Sequence, residues 1–200
     1  MNVFEQGIEG NKIPIEIFIK RSFEKADLVL LGEAEHGTHD QVILNTLKEI
    51  GDSIQGIFIE IPINYQRDID TYVETGEVTE HLEDYFRGAE EEGNNIRGIL
   101  NIFDFLKKAN KSIICIDSSK LRTSEYAQKS AHGYYFLRGK SRDEDMCTII
   151  QEQYAKKPGK YLAIVGGKHI EPNKHFRTGE DTLAQEMAKN FSGSYTAIQL

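Results

Sequence analysis

The chain reads as an α/β protein with a mostly parallel central sheet of about five strands flanked by helices. Three observations predict this. Five short, β-branched apolar runs recur along it: Asp27–Leu31, Gly56–Ile61, Ser112–Asp117, Tyr161–Val165 and Tyr195–Leu200. They are continuous rather than alternating, the pattern of strands buried on both faces. Stretches with helical spacing separate them, as the crossover connections of a parallel sheet require.

In chain order, Ile13–Glu24 starts with Pro14 and keeps Ile15, Phe18 and Phe23 towards one side. Asp40–Ile50 places Val42, Ile43, Leu47 and Ile50 at helical intervals. Ile96–Asn110 carries Ile99, Leu100, Phe103, Phe105 and Leu106, and closes on Lys107, Lys108 and Lys111, cations that complement a helix C-terminus. Arg142–Ala155 and Asp181–Asn190 complete the helical set. The least regular part, Gly76–Asn95, is expected to hold a short helix around Glu80–Arg87 and an acidic turn at Gly88–Asn95. No internal repeat or low-complexity linker divides the chain, so residues 1–200 are read as a single α/β domain.

Hydrophobic residues make up 39% and charged residues 28%, too apolar a mixture for a disordered chain. The net charge of −8 offers no basic footprint for a phosphate backbone, so nucleic acid is not expected as a partner. No apolar run approaches the length of a membrane span, and Met1–Asn11 lacks the basic and apolar regions of a signal peptide. Cys115 and Cys147 are the only cysteines, and no disulfide framework is indicated. Together these predict a cytoplasmic protein whose partner is a small-molecule substrate or ligand.

Parallel sheets bind ligands beyond the carboxyl ends of their strands. Four predicted strand ends carry a carboxylate or an imidazole: Gly32–Asp40, Glu60-Ile61-Pro62, Asp117-Ser118-Ser119 and Gly166-Gly167-Lys168-His169. In the first, Glu33 and His36 are of the right type for an acid/base pair, the carboxylate setting the tautomer. Thr38 is placed to cap the following helix. The same segment, with His36 and His39, also reads as an ordinary polar loop. Glu60 follows Gly56-Ile57-Phe58-Ile59 and must be partly buried. An unpaired buried carboxylate is costly, so Arg142, His36 or His169 is expected beside it. Asp117 reads equally as a ligand contact or as a cap. Tyr126, Tyr134, Tyr135 and Phe136 read as pocket lining or as core.

Taken in order, these pieces resemble the erythromycin esterase family, within a wider group that includes the ChaN-like haem-binding proteins and the TraB/Tiki-type proteins. Leu30–Thr38 resembles the family's GEATHG-type motif, and Phe58-Ile59-Glu60 its second-strand glutamate. Ile99–Asn110 followed by Ile113–Asp117 resembles its helix–Asn–strand–Asp segment. Arg142–Met146 resembles its Arg-Asp-x-x-Met helix start, and Gly166–His169 its C-terminal histidine segment. The resemblance spans roughly residues 27–170. The family's lid for a large macrolide has little room between Asp117 and Arg142, and Asn45 and Lys48 stand where the family carries an arginine.

The resemblance implies a hydrolase of an ester, lactone or similar small substrate, with Glu33, His36, Glu60, Arg142 and His169 as its catalytic set. His36 would be the base that activates water, oriented by Glu33 or Glu60, while Arg142 and His169 stabilise the oxyanion. Asp117 and His39 are the substrate-binding candidates. No cofactor is required by this reading. Two alternatives stay open. One is a metal-dependent hydrolase or peptidase of the TraB/Tiki type, with Glu33, His36 and His169 as ligands of a divalent metal. The other is a non-catalytic module binding a small, haem-like ligand.

Overall fold

The structure, a computed structural model, describes residues 14–34, 36–37, 39–118, 127–129, 135–137, 142–174 and 179–200. Its strands are β1 (Leu28–Glu33), β2 (Ile54–Pro62), β3 (Ser112–Asp117), β4 (Ala127–Lys129), β5 (Tyr135–Leu137), β6 (Lys160–Gly166) and β7 (Tyr195–Gln199). Five of them form the central sheet in the order β3–β2–β6–β1–β7, and every pair is parallel. The expected sheet is therefore present, with all five predicted strands in it. β4 and β5 pair antiparallel as a separate ribbon inside the segment that sequence periodicity left unassigned.

The helices are α1 (Ile15–Ser22), α2 (Asp40–Ile50), α3 (Gln66–Thr75), α4 (Glu80–Glu91), α5 (Ile96–Lys108), α6 (Arg142–Lys156) and α7 (Leu183–Asn190). They form two layers, because successive side chains of a strand point to opposite faces. Val29, Leu31, Ile57, Ile59, Leu162 and Ile164 pack with α1, α2, α3, α4 and α5. Leu28, Leu30, Phe58, Tyr161, Ala163 and Val165 pack with α6 and α7. Each aliphatic side chain fully removed from water contributes roughly 1.5–3 kcal/mol, so strands buried on both faces anchor both layers.

Two departures from the sequence pattern have a common cause. α3 was not anticipated, and α4 extends to Glu91 where a shorter helix was expected. Each buries only two residues, Ile69 and Tyr72 in α3, Leu82 and Phe86 in α4. A stripe that thin leaves little periodicity to read. Local chemistry defines their ends instead. Leu82 N–H donates to Thr79 Oγ1 at the start of α4 (3.2 Å), and Gly76 closes α3 with φ of 86°. Among the described residues, no helix is long and apolar enough to cross a membrane.

The layer arrangement also opens a cleft. The helices that follow β1 and β2 lie on one face, and those that follow β3 and β6 lie on the other. The outgoing loops of adjacent strands therefore part over the carboxyl end of the sheet, where ligands bind in open α/β sheets.

The loop after β1 is seated against the start of α5. Gly37 adopts φ of 78°, and a Cβ there would lie 2.3 Å from Asn95 O. From the other side, a Cβ on Gly98 would lie 2.4 Å from Gly37 O. In an open helix, Gly→Ala stabilises by about 1 kcal/mol. Here Gly98→Ala is expected to reverse that sign and lower the urea midpoint of unfolding, because the new methyl pushes the loop off the helix.

Candidate active site

Glu33 ends β1 fully buried, and both its oxygens are turned to the loop that follows. Gly37 N–H donates to Oε2 (3.1 Å) and His39 N–H to Oε1 (3.1 Å). Its carboxylate is therefore the frame of the loop. Two asparagines between α4 and α5 hold the other side. His36 N–H donates to Asn94 Oδ1 (3.2 Å), Asn95 N–H donates to His36 O (2.8 Å), and Asn95 Nδ2 donates to Gly37 O (3.0 Å). The cap expected from Thr38, like Glu35, lies outside the described residues. His39 occupies the N-cap position of α2 without a side-chain cap bond.

The loop aims His36 at Glu60. Nε2 of His36 lies 3.4 Å from Glu60 Oε2, whereas its Nδ1 is 3.9 Å from Glu33 Oε2. Of the two carboxylates open as its orienting partner, Glu60 is the one that geometry selects. With the Nε2 proton assigned to Glu60, Nδ1 carries the lone pair. It is buried and has no hydrogen-bond partner among the described residues.

Glu60 itself is buried and receives all three partners named for it from sequence. Arg142 Nη2 donates to Oε1 (2.5 Å), and His169 Nε2 lies 3.2 Å from the same oxygen. His36 approaches Oε2, which also accepts Gly166 N–H at 2.7 Å. Burial alone would raise the Glu60 pKa. The charges of His169 and Arg142 and the bonds from both histidines outweigh it and hold the carboxyl well below its ordinary value.

Arg142 begins α6 and spans the cleft. Its Nε donates to Asp117 Oδ1 (2.8 Å), and Nη1 lies 3.4 Å from His169 Nε2. Asp117, a candidate for substrate contact, is fully buried behind Arg142. The adjacent carboxylates raise the pKa of the guanidinium against its burial. His169 leans on Asp143, whose Oδ1 is hydrogen-bonded to Nδ1. Burial pulls the His169 pKa down, but Glu60 and Asp143 together push it up to about 10, so this ring is an imidazolium at neutral pH. For His36, burial is again the largest single effect and lowers the pKa. The bond to Glu60 and the charges of Glu60 and Glu33 overcome it, and the net shift is upward from 6.5.

All seven site residues expected from sequence thus lie along one cleft: Glu33, His36, His39, Glu60, Asp117, Arg142 and His169. Asp143, Asn94, Asn95 and the Gly166 N–H were missed. Asp143 stood within the Arg-Asp-x-x-Met resemblance at Arg142–Met146, but an aspartate in the first turn of a helix also reads as a helix-dipole complement, and it was not singled out for the site. The asparagines fell within the turn read as acidic. Tyr126 and Tyr134 lie outside the described residues, as do the side chains of Tyr135 and Phe136.

The proposed metal ligands do not converge. Glu33 is committed to two backbone amides, His169 Nδ1 to Asp143, and Arg142 places a fixed positive charge among Glu60, Asp117 and His169. Among the described residues, no group of three His, Cys, Asp or Glu side chains is arranged to hold a metal ion.

A doubly wound α/β sheet with a cluster of paired carboxylates, imidazoles and one guanidinium at its carboxyl end defines the structural class. No protein-family model matches the chain, and no curated protein does. Solved structures share the fold at low sequence identity. A crystal structure of bacterial protein toxins superposes with a TM-score of 0.57 at 15% identity, over 94% of this chain and 37% of its own. A structure of Pasteurella multocida toxin, described as having a thiol-protease-like catalytic triad in its C-terminal region, gives a TM-score of 0.66 at 13% identity. That match covers 95% of this chain and 25% of the toxin chain. This chain therefore spans between a quarter and little more than a third of the matched toxin chains, and the likeness is one of fold.

The ion network makes stability depend on pH from both sides. His169 has a folded pKa of about 10 against an ordinary 6.5, so its contribution is complete below 6.5 and is lost as pH rises through 10. Glu60 is depressed, so its contribution is complete above 4.5 and is lost as pH falls below that value. Urea unfolding followed across this range is expected to show an alkaline decline that His169→Gln largely removes, and an acid decline that it makes smaller, because Arg142 and His36 are then left to hold the Glu60 carboxyl down.

Proposed function

We propose that the protein is a hydrolase of the erythromycin-esterase-like type, acting with His-activated water on an ester, lactone or similar small substrate. The observation that carries this reading is His36. Its Nε2 is held by the Glu60 carboxylate, and its buried Nδ1 has no protein partner among the described residues. A buried polar atom left without a partner is unusual in a folded protein, and a catalytic role is one reason for keeping it. Carboxylate, imidazole and water then form the ordered relay that general base catalysis needs.

The two histidines divide the work. His36, whose pKa lies closer to neutrality, takes the proton from water and returns it to the leaving group. His169 stays charged, because Asp143 and Glu60 both favour its imidazolium. With Arg142 it supplies the positive charge for the oxyanion that forms when the carbonyl is attacked. Asp117 and Asp143 act through these cations by positioning them. Glu33 positions the loop that carries His36.

Two other chemistries receive less support. A thiol nucleophile would have to be Cys115 or Cys147, and both are buried. Burial, with Asp70, Asp117 and Asp68 nearby, pushes the Cys115 thiol pKa strongly up, away from the reactive thiolate. A metal-bound water would need ligands that this cleft has turned towards amides, Asp143 and Arg142. We propose a reaction carried by protein groups alone, with a small molecule as partner.

Purified protein assayed on a panel of simple esters and lactones is expected to turn over at least one of them at the same rate with or without chelator. His36→Ala should lower kcat by about 10²–10⁴-fold without unfolding the chain. Binding of these compounds with no turnover by a folded wild-type protein would instead favour the ligand-binding module.

The same mechanism fixes the sign of the pH profile. Only neutral His36 accepts a proton, so kcat/KM should rise with pH through an apparent pKa above 6.5. Glu60→Gln removes the main influences that raise it and leaves the Glu33 charge, which raises it, against burial and the Arg142 charge, which lower it. The acid limb should move to lower pH as the maximum rate falls.

A further inference from the structure

We infer that this cleft takes a substrate carrying an anionic group, a carboxylate or a phosphate, close to its scissile bond. The inference rests on the reading of the cleft as the reactive site and adds the substrate's charge class.

The site is built in two layers of opposite charge. Its carboxylates form the floor: Asp117, Glu33, Asp143 and Glu60 have side-chain exposures of 0–6%. Its basic groups form the outer layer: His169, His36, His39 and Arg142 are 12–33% exposed. An incoming molecule therefore meets basic side chains before carboxylates. This holds in a chain whose overall charge is −8, where a basic layer is the exception.

The four carboxylates do not cancel this preference, because each is turned towards protein donors. Glu33 accepts from the amides of Gly37 and His39, Asp117 from Arg142 Nε, and Asp143 is bonded to His169. Glu60 accepts from Arg142 and Gly166. An anion in contact with the outer layer is separated from the floor by the cations themselves, and Coulomb attraction favours the nearer charge.

Arg142 is the most exposed of the four basic groups and has capacity remaining. Its Nε and Nη2 serve Asp117 and Glu60, while among the described residues Nη1 faces only His169 Nε2, at 3.4 Å. Once His169 is an imidazolium, that contact sets one donor against another. A ligand oxygen bridging both from the open side of the pair gains charge-assisted hydrogen bonds.

Mono-para-nitrophenyl succinate and para-nitrophenyl butyrate test this directly, since they differ by a terminal carboxylate in place of a methyl. At low salt, kcat/KM is expected to favour the succinate by about tenfold, mainly through KM, with the gap closing as salt is added. In parallel, inorganic phosphate titrated into the wild-type protein should produce saturable shifts in the ring C–H signals of His36 and His169. Arg142→Lys and the less buried His36→Gln, each checked for folding by circular dichroism, should weaken phosphate binding several-fold.

Equal kcat/KM for the two esters, or no saturable phosphate shift, overturns the anionic substrate. Saturable phosphate binding with neither ester turned over supports the anion site and counts against the hydrolase reading, so the two failures are distinguishable.

Discussion

The buried carboxylate of Glu60 is the constraint on which the rest of the site depends. Removing such a group from water costs several kcal/mol unless charge and hydrogen bonds replace what water supplied. Its partners come from separate parts of the fold: His36 from the loop after β1, Arg142 from the start of α6, Gly166 from the end of β6, and His169 just beyond it. Arg142 extends the linkage to Asp117 at the end of β3. The carboxyl ends of four adjacent strands are thus tied together by electrostatics as well as by the sheet. Losing one partner from such a cluster leaves an uncompensated buried charge, a defect of about 3–5 kcal/mol.

Around that centre the two histidines are treated differently. His169 is clamped between Asp143 and Glu60, and its charge is fixed over the ordinary range of pH. His36 has one carboxylate at hydrogen-bonding range and one ring nitrogen with no partner among the described residues. One ring is a permanent charge and the other is free to exchange a proton. Glu33 holds the amides of Gly37 and His39, and Asn94 and Asn95 hold His36 and Gly37 from the connection between α4 and α5. On the proposed mechanism, a base placed in advance would need no reorganisation when it acts, which is where such sites gain most of their effect.

Much of this was legible in the sequence for identifiable reasons. The strands declared themselves because both of their faces are buried, which requires continuous apolar runs. α2 and α5 declared themselves through wide apolar stripes. α3 and α4 did not, since each commits only two side chains to the core. In the site, the need to neutralise Glu60 could be argued from its place after Gly56–Ile59, and its three candidate partners all proved to contact it. Asp143 entered only as part of the Arg142–Met146 resemblance, because its residue type has an ordinary explanation at a helix start. Asn94 and Asn95 stayed hidden because a loop clamp 58 residues away in sequence has no periodicity.

The sequence by itself determined the alternation of strands and helices, and with it the placement of charged groups at strand ends. These follow from local periodicity and from the chain order of a parallel sheet. Only the tertiary structure decided which carboxylate holds which imidazole. Sequence left Glu33 and Glu60 as equal candidates to orient His36. The fold turns Glu33 back onto the amides of its own loop and brings Glu60 across from β2. It also decided that Asp117 lies behind Arg142 rather than facing a ligand. Such choices depend on distances of a few ångströms between elements far apart in the chain, where a hydrogen bond is made or missed and a pKa is moved one way or the other.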